Sequence, residues 1–290
     1  MNAIFWALAC MSFAAGNDLL FKFFASKNRG NGFFVSIVGV VWLAVTLTFA
    51  LFAPLPESWG ATILWGMISG FFSVGGNLLM LDAMRSLDAG VCATIYRLNL
   101  VPVTVGAALL LNEDISMLQY AGILCACGAV CAFIPRSRGE NKVRKTLSAA
   151  FIIMIVASLM RAAMGLSYRY GFLHGASEKY VVVINSLFWI FGGVIYAYWR
   201  ERSLMPYSRQ DWKNLFFLGG FSGALVTGIV ITMALATKLG NASVVLPISQ
   251  MSFLLTGALG IWLLKEKLTW SKALAFALGV VAILLLSCKF

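Results

Sequence analysis

WGATILWGMISGFFSVG (residues 59–75) and WKNLFFLGGFSGALVTG (residues 212–228) are one segment written twice. A gapless shift of 153 positions brings Trp59 onto Trp212, Gly66 onto Gly219, Ser69-Gly70 onto Ser222-Gly223 and Gly75 onto Gly228. The agreement continues through Ala83 and Ala236, Ala89 and Ala242, and Glu113 and Glu266. Apolar helices match by chance in their leucines and valines. They seldom match in glycines, a tryptophan and a carboxylate, so the chain carries an internal repeat.

The repeat extends upstream at a shift of 147, with Ala15 on Ala162, Leu19 on Leu166, Lys22 on Arg169, Phe33 on Tyr180, Ile37 on Ile184 and Trp42 on Trp189. The six-residue difference between the two shifts falls in the Arg200–Lys213 connection. The 290 residues are 61% hydrophobic and 11% charged, with a mean hydropathy of +0.89. A soluble domain carries about 25% charge, so this is an integral membrane protein with one membrane domain.

A crossing takes about 20 apolar residues. Ten spans are expected, at residues 3–24, 33–53, 61–83, 91–111, 118–135, 147–170, 180–199, 215–236, 243–264 and 271–288. The fold class is therefore all-α, two five-helix repeats at 1–135 and 147–290, joined by a basic linker at 136–146. Five is odd, so the second repeat enters the bilayer from the opposite face and the two are inverted. That architecture belongs to secondary transporters with a midplane site between repeats.

The net charge of +11 could signal nucleic acid in a soluble protein, but here it resides in short loops. Connections 1–2, 3–4, 5–6, 7–8 and 9–10 hold fourteen Lys and Arg residues, whereas the other face has Lys179, Lys238 and Lys289. The positive-inside rule puts the odd-numbered loops in the cytoplasm and both termini outside, in a bacterial inner membrane. The N-terminal run lacks a basic leader and a cleavage site, and reads as a retained helix. The six cysteines read as free thiols packing as small hydrophobes, and the sole histidine, His174, builds no metal site alone. No cofactor is expected.

An ionised group inside a span costs about 2.5–3.5 kcal/mol on insertion scales, so each needs a reason. Asp18, Arg97 and Arg161 qualify. Their repeat equivalents are Gly165, Gln250 and Ala14, and Asn99 maps onto Ser252. Spans 4 and 9 thus bring polar groups to matched places. The expected substrate-binding residues are Arg97, Gln250, Asn99, Arg161, Tyr96, Asn77 and Ser252. Arginine suits this work because guanidinium stays charged and grips a carboxylate or phosphate with two parallel bonds. The plainer readings are a permanent ion pair for Arg97, and a helix-packing face at Ser158, Gly165 and Tyr168 for Arg161. Asp18 either carries a coupling proton or bridges locally, to Lys22 one turn on or to an intramembrane arginine.

The stripe Ser69, Ser73, Asn77 lines a cavity or bonds a neighbouring helix. Gly66/Gly70 and Gly219/Gly223 are small-xxx-small motifs for close packing between the halves. Pro102 and Pro247 predict kinks, and Glu113 and Glu266 read as helix-terminal surface carboxylates.

Ala83-Met84-Arg85-Ser86-Leu87-Asp88-Ala89-Gly90 through Leu109-Leu110-Leu111-Asn112-Glu113, with Ala234-Leu235-Ala236 through Ile261-Trp262-Leu263-Leu264-Lys265-Glu266, resembles the EamA type of the drug/metabolite transporter superfamily. That family usually places glycine before the glutamate, where this chain has Asn112 and Lys265. The resemblance covers the whole chain and implies transport of amino acids, nucleotide sugars, phosphorylated sugars, purines or drugs, by exchange or with a proton. In some members both termini are cytoplasmic, opposite to the charge count here.

The expected function is secondary transport of a small polar metabolite, leaning to carboxylate or phosphate, by alternating access. The partners are the lipid bilayer, the substrate and a proton or counter-substrate; nucleic acid is not one, and a monomer suffices. A lipid-linked flippase or drug exporter on the same scaffold is the alternative, with a non-catalytic membrane subunit behind it. No nucleophile with a base, paired carboxylates or metal cluster supports an enzyme.

Overall fold

A computed structural model describes residues 3–26, 30–111, 116–132, 141–202, 209–239 and 248–287. Among them the chain is helical: α1 (Ala3–Ser26), α2 (Asn31–Leu51), α3 (Trp59–Met84), α4 (Ala89–Arg97), α5 (Leu100–Leu111), α6 (Met117–Ala132), α7 (Asn141–Leu173), α8 (Glu178–Trp199), α9 (Arg209–Leu239), α10 (Ser252–Leu264) and α11 (Trp270–Ser287). Among the described residues, seven stretches are long and apolar enough to cross a bilayer, counting α4 and α5 together. The predicted spans 118–135, 243–264 and 271–288 appear as shorter apolar helices, Met117–Ala132, Ile248–Leu264 and Trp270–Leu286. Pro247, Glu113 and linker residues 136–140 lie outside the described residues. The predicted span 91–111 is not one helix, since it breaks between α4 and α5.

Large apolar side chains point outward, among them Phe52, Phe217, Trp262, Leu109 and Leu124. Such a surface is costly in water and suited to lipid. Inside, α1 packs on α9 and α3 on α7, while α2 packs on both α8 and α9 and α3 on α8.

These contacts recur under the sequence correspondence. Phe33 meets Trp212 edge-on at 5.9 Å, and their equivalents Tyr180 and Trp59 meet edge-on at 5.2 Å. Trp42 meets its own equivalent, Trp189, at 5.6 Å. The matched glycines behave alike. A Cβ on Gly66 would lie 2.7 Å from Ile184, and one on Gly219 would lie 2.8 Å from Ile37. Gly70 faces Phe188 as Gly223 faces Val41, and Gly75 faces Met160 as Gly228 faces Phe13. The small residues therefore allow close approach between the two halves.

The helix ends at Ser26, Asn31, Met84, Ala89, Trp199, Leu264 and Trp270 share one face, with Arg85, Arg200, Lys265 and Lys267. Glu201 joins three helices there. Its carboxylate accepts from the N–H groups of Asn31 (2.7 Å) and Gly32 (3.1 Å), which open α2, and pairs with Arg85 at 3.3 Å. Asp82 accepts from Asn31 at 3.0 Å and from the Tyr196 hydroxyl. A cavity of about 650 Å³ opens beside this cluster, between α3, α7 and α8.

Glu266 accepts from the Ala89 N–H at 2.7 Å and so caps α4. The surface-carboxylate reading of Glu266 is corrected accordingly. Burial pushes both Glu201 and Glu266 above the usual glutamate range, against the pull of the N–H groups they bind. Lys265 ends α10 with φ 56° and ψ 34°, the left-handed conformation that glycine adopts without strain. This turn carries Glu266 back to α4.

Two stability measurements follow. Gly66→Val should destabilise the folded protein by about 1–3 kcal/mol, as overpacking does, and lower the unfolding midpoint in detergent. Gly60→Ala, whose added Cβ meets nothing within 4 Å, should hold or raise that midpoint, since alanine loses less backbone entropy on folding. Lys265→Gly should raise the midpoint, by relieving about 1 kcal/mol of left-handed strain. A lower midpoint would show that the Lys265 side chain contributes more than its conformation removes.

Candidate functional site

The α4–α5 break has a local cause. Pro102 has no N–H to give the Leu98 carbonyl four residues back, and its ring crowds that carbonyl. Val101 donates to Leu98 O instead, at 3.1 Å, and Asn99 N–H reaches Tyr96 O at 3.4 Å. Leu98 leaves the helical region at φ −72°, ψ 5°. Its repeat equivalent, Met251, does the same at φ −71°, ψ 5°, and Leu254 N–H donates to Met251 O at 3.0 Å. Both copies thus tighten at matched positions, beside Arg97 in one and Gln250 in the other.

The intramembrane charges gather at this level. Arg97 is the last residue of α4, where a cation complements the helix dipole. Asp18 and Arg97 each lie eight residues from the basic-face end of their helices, about 12 Å along the axis at 1.5 Å per residue. Arg97 Nη2 meets Asp18 Oδ2 at 3.3 Å, with the side chains 11% and 6% exposed. Arg97 Nε donates to Ser252 Oγ at 2.9 Å, and Thr256 Oγ1 donates to Asp18 Oδ2 at 3.3 Å. One ion pair with two hydroxyls thereby joins α1, α4 and α10. Of the expected partners for Asp18, the arginine is found. Lys22 instead donates to the carbonyls of Met84 and Leu87, both at 2.7 Å.

Arg161 is placed differently. Its guanidinium lies over the Tyr96 ring at 5.8 Å from the centroid, with Nη1 3.6 Å from Met164 Sδ. No carboxylate pairs with it among the described residues. The Tyr96 hydroxyl is buried and finds no hydrogen-bond acceptor among the described residues. Asn99 is buried in the α4–α5 turn, and Gln250 is half-buried two residues before Ser252. Arg97, Ser252, Tyr96 and Arg161 thus come together around Asp18.

Asn77 does not join this contact group. Its amide donates to Ser73 O at 2.9 Å within α3. The rest of that stripe bonds α8: Ser69 donates to Asn185 Oδ1 at 3.0 Å, and Ser73 accepts from Trp189 Nε1 at 2.9 Å. The stripe reads as a helix-joining seam. Asn185 also donates to the Tyr168 hydroxyl, so Tyr168 is drawn into the seam.

Thr256 was not anticipated, although it lies one turn beyond Ser252, on the helical face that bears Ser252. Removing one member of a buried ion pair costs about 3–5 kcal/mol, because the other is left uncompensated. Asp18→Asn or Arg97→Gln alone should therefore lower the unfolding midpoint, and the double variant should recover most of the loss. A double variant as unstable as the sum of the singles would show that the pair is not the source.

The chain matches the profile of the EamA-like transporter family over residues 1–134 and again over 148–288. A solved structure titled "Crystal structure of protein" shares its fold, with a TM-score of 0.62 at 15% identity, covering 98% of this chain and 95% of that one. No curated protein matches the sequence significantly. Members of the matched family are transporters and not enzymes. With both halves matched and apolar helices long enough to cross a bilayer, this chain belongs to the EamA-like family of membrane transporters.

Proposed function

We propose that the protein is a secondary active transporter of small anionic metabolites, bearing a carboxylate or phosphate, that works by alternating access between two inverted five-helix repeats. The observation that carries this reading is the charge balance at the α4–α5 break. Asp18 neutralises Arg97, while Arg161 has no carboxylate partner among the described residues. A cation left alone in a membrane interior is expensive, and a bound anion relieves it. The cargo is thus the missing counter-ion. Arg161 anchors it, with Tyr96, Asn99 and Gln250 as neutral donors, while Arg97 and Ser252 shape the site from the other side. Asp18 holds Arg97 and is the group available for proton coupling.

The ten spans, the repeats at 1–135 and 147–290 and the basic linker at 136–146 complete this reading. So does an orientation with the basic face in the cytoplasm of a bacterial inner membrane. The matched contacts of Gly66 with Ile184 and Gly219 with Ile37 support the repeats. One observation favours a second reading, a lipid-linked cargo. An apolar groove of about 790 Å³ runs between α3 and α8, past Phe71, Phe188 and Phe191, towards Tyr196 and Arg200 on the basic face. Its apolar lining suits an acyl chain.

A thermal-shift screen of amino acids, organic acids, sugar phosphates and nucleotides should find stabilisation by anions, because a ligand that binds only the folded state raises the midpoint. Uptake of the best anion into proteoliposomes should fall at least tenfold in Arg161→Gln at unchanged protein content. Full uptake by that variant would remove Arg161 from the site, and stabilisation by lysolipids alone would favour the second reading. The Asp18→Asn/Arg97→Gln variant should lose dependence on a pH gradient, and unchanged dependence excludes Asp18 from coupling. In intact cells an impermeant maleimide should label His174→Cys but not Arg202→Cys. The reverse pattern inverts the orientation.

A further inference from the structure

The anion site has an internal template. In the first copy Asp18 on α1 meets Arg97, and Thr256 from the other half donates to it at 3.3 Å. The repeat correspondence converts Asp18 to Gly165, Arg97 to Gln250, Ser252 to Asn99 and Thr256 to Val103. The geometry follows the correspondence. A Cβ built on Gly165 would meet Val103 Cγ2 at 3.9 Å and nothing nearer, as Asp18 meets Thr256. Where the first copy has a carboxylate, the second has no side chain, and a Cβ there would make one ordinary contact, with Val103. Gly165, Val103 and Arg161 are half-buried.

The groups around that space are donors in want of an acceptor. Arg161 lies one turn from Gly165 on the same face of α7, at the i, i+4 spacing of helical ion pairs. Its own equivalent is Ala14, so the second copy has gained a cation where it lacks the acid. The Tyr96 hydroxyl is buried beside Arg161 with no acceptor for its own proton. Asn99 is buried in the α4–α5 turn, and Gln250, the equivalent of Arg97, is half-buried beside the matching turn at Met251. Buried polar groups are ordinarily paired, and an incomplete set marks where a ligand belongs.

We propose that the anionic group of the cargo binds in the space in front of Gly165, occupying in the second copy the place that the Asp18 carboxylate occupies in the first. This rests on the anion-transport reading and locates its subsite. The cargo's carboxylate or phosphate accepts from Arg161 and from the Asn99 and Gln250 amides, and its remaining atoms extend toward Asp18 and Arg97. Glycine at 165 is then a specificity determinant, because any larger side chain fills the anion's place.

The test uses purified full-length protein and two minimal probes, acetate and inorganic phosphate, at constant ionic strength. At least one should raise the wild-type unfolding midpoint by several degrees, and Arg161→Gln should abolish the rise. Gly165→Asp should lose the anion response. Its midpoint without anion should exceed that of Gly165→Asn, and the excess should vanish when Arg161→Gln is added. A wild-type response that Gly165→Asp preserves overturns the subsite alone, as does an absence of coupling between position 165 and Arg161. No response in wild-type protein overturns the anion-transport reading itself. If Gly165→Asp fails to fold, Gly165→Cys in a chain with its native cysteines changed to alanine replaces it. Phosphate should slow its modification by a sulfonated thiol reagent several-fold, and an unchanged rate overturns the subsite.

Discussion

In hydrocarbon neither a charge nor a backbone carbonyl can turn to water, and the interior of this protein is arranged around that constraint. Asp18 and Arg97 meet where α4 gives way to α5, and hydroxyls from α10 complete the group. The break itself leaves carbonyls short of donors because Pro102 supplies none, and Val101 makes up part of the shortfall. A neutral, hydrogen-bonded pair here lets three helices from both halves share one point without stranding a charge. Arg161, near the same point, is the exception to that economy.

Much of the scaffold was legible because duplication doubles a signal that hydropathy alone blurs. Gly66 and Gly219 could be read as packing positions before any coordinates, and each faces the isoleucine that the correspondence demands. Trp42 and Trp189 were matched in sequence and touch in space. The candidate site was legible in outline: Asp18, Arg97 and Arg161 stood out because charge is scarce in such helices. Which arginine would be paired was not legible. That depends on side-chain reach between α1, α4 and α7, which one-dimensional spacing does not encode.

Other failures have equally physical reasons. Ser69 and Ser73 fitted a cavity wall and a helix seam equally, because one hydroxyl serves both, and only Asn185 and Trp189 across the gap distinguish them. Glu266 read as a surface acid, because the left-handed turn at Lys265 that swings it under α4 occurs at a residue with no turn preference. The split of α4 from α5 was signalled by Pro102. The matching turn at Met251 has no proline at the equivalent position, and it emerged only from the backbone angles.

The contact between Trp42 and Trp189 has a meaning beyond stability. Two residues at equivalent places in the repeat face each other, so one position of the repeat packs against its own copy. A substitution at one of them changes half of a self-matched pair, and only the same change at the other restores the match. Asp18 and Gly165 are equivalent too, yet one carries a carboxylate and the other no side chain. The seam between the halves is thus self-matched at the tryptophans, while the charged group beside it makes the two halves unequal.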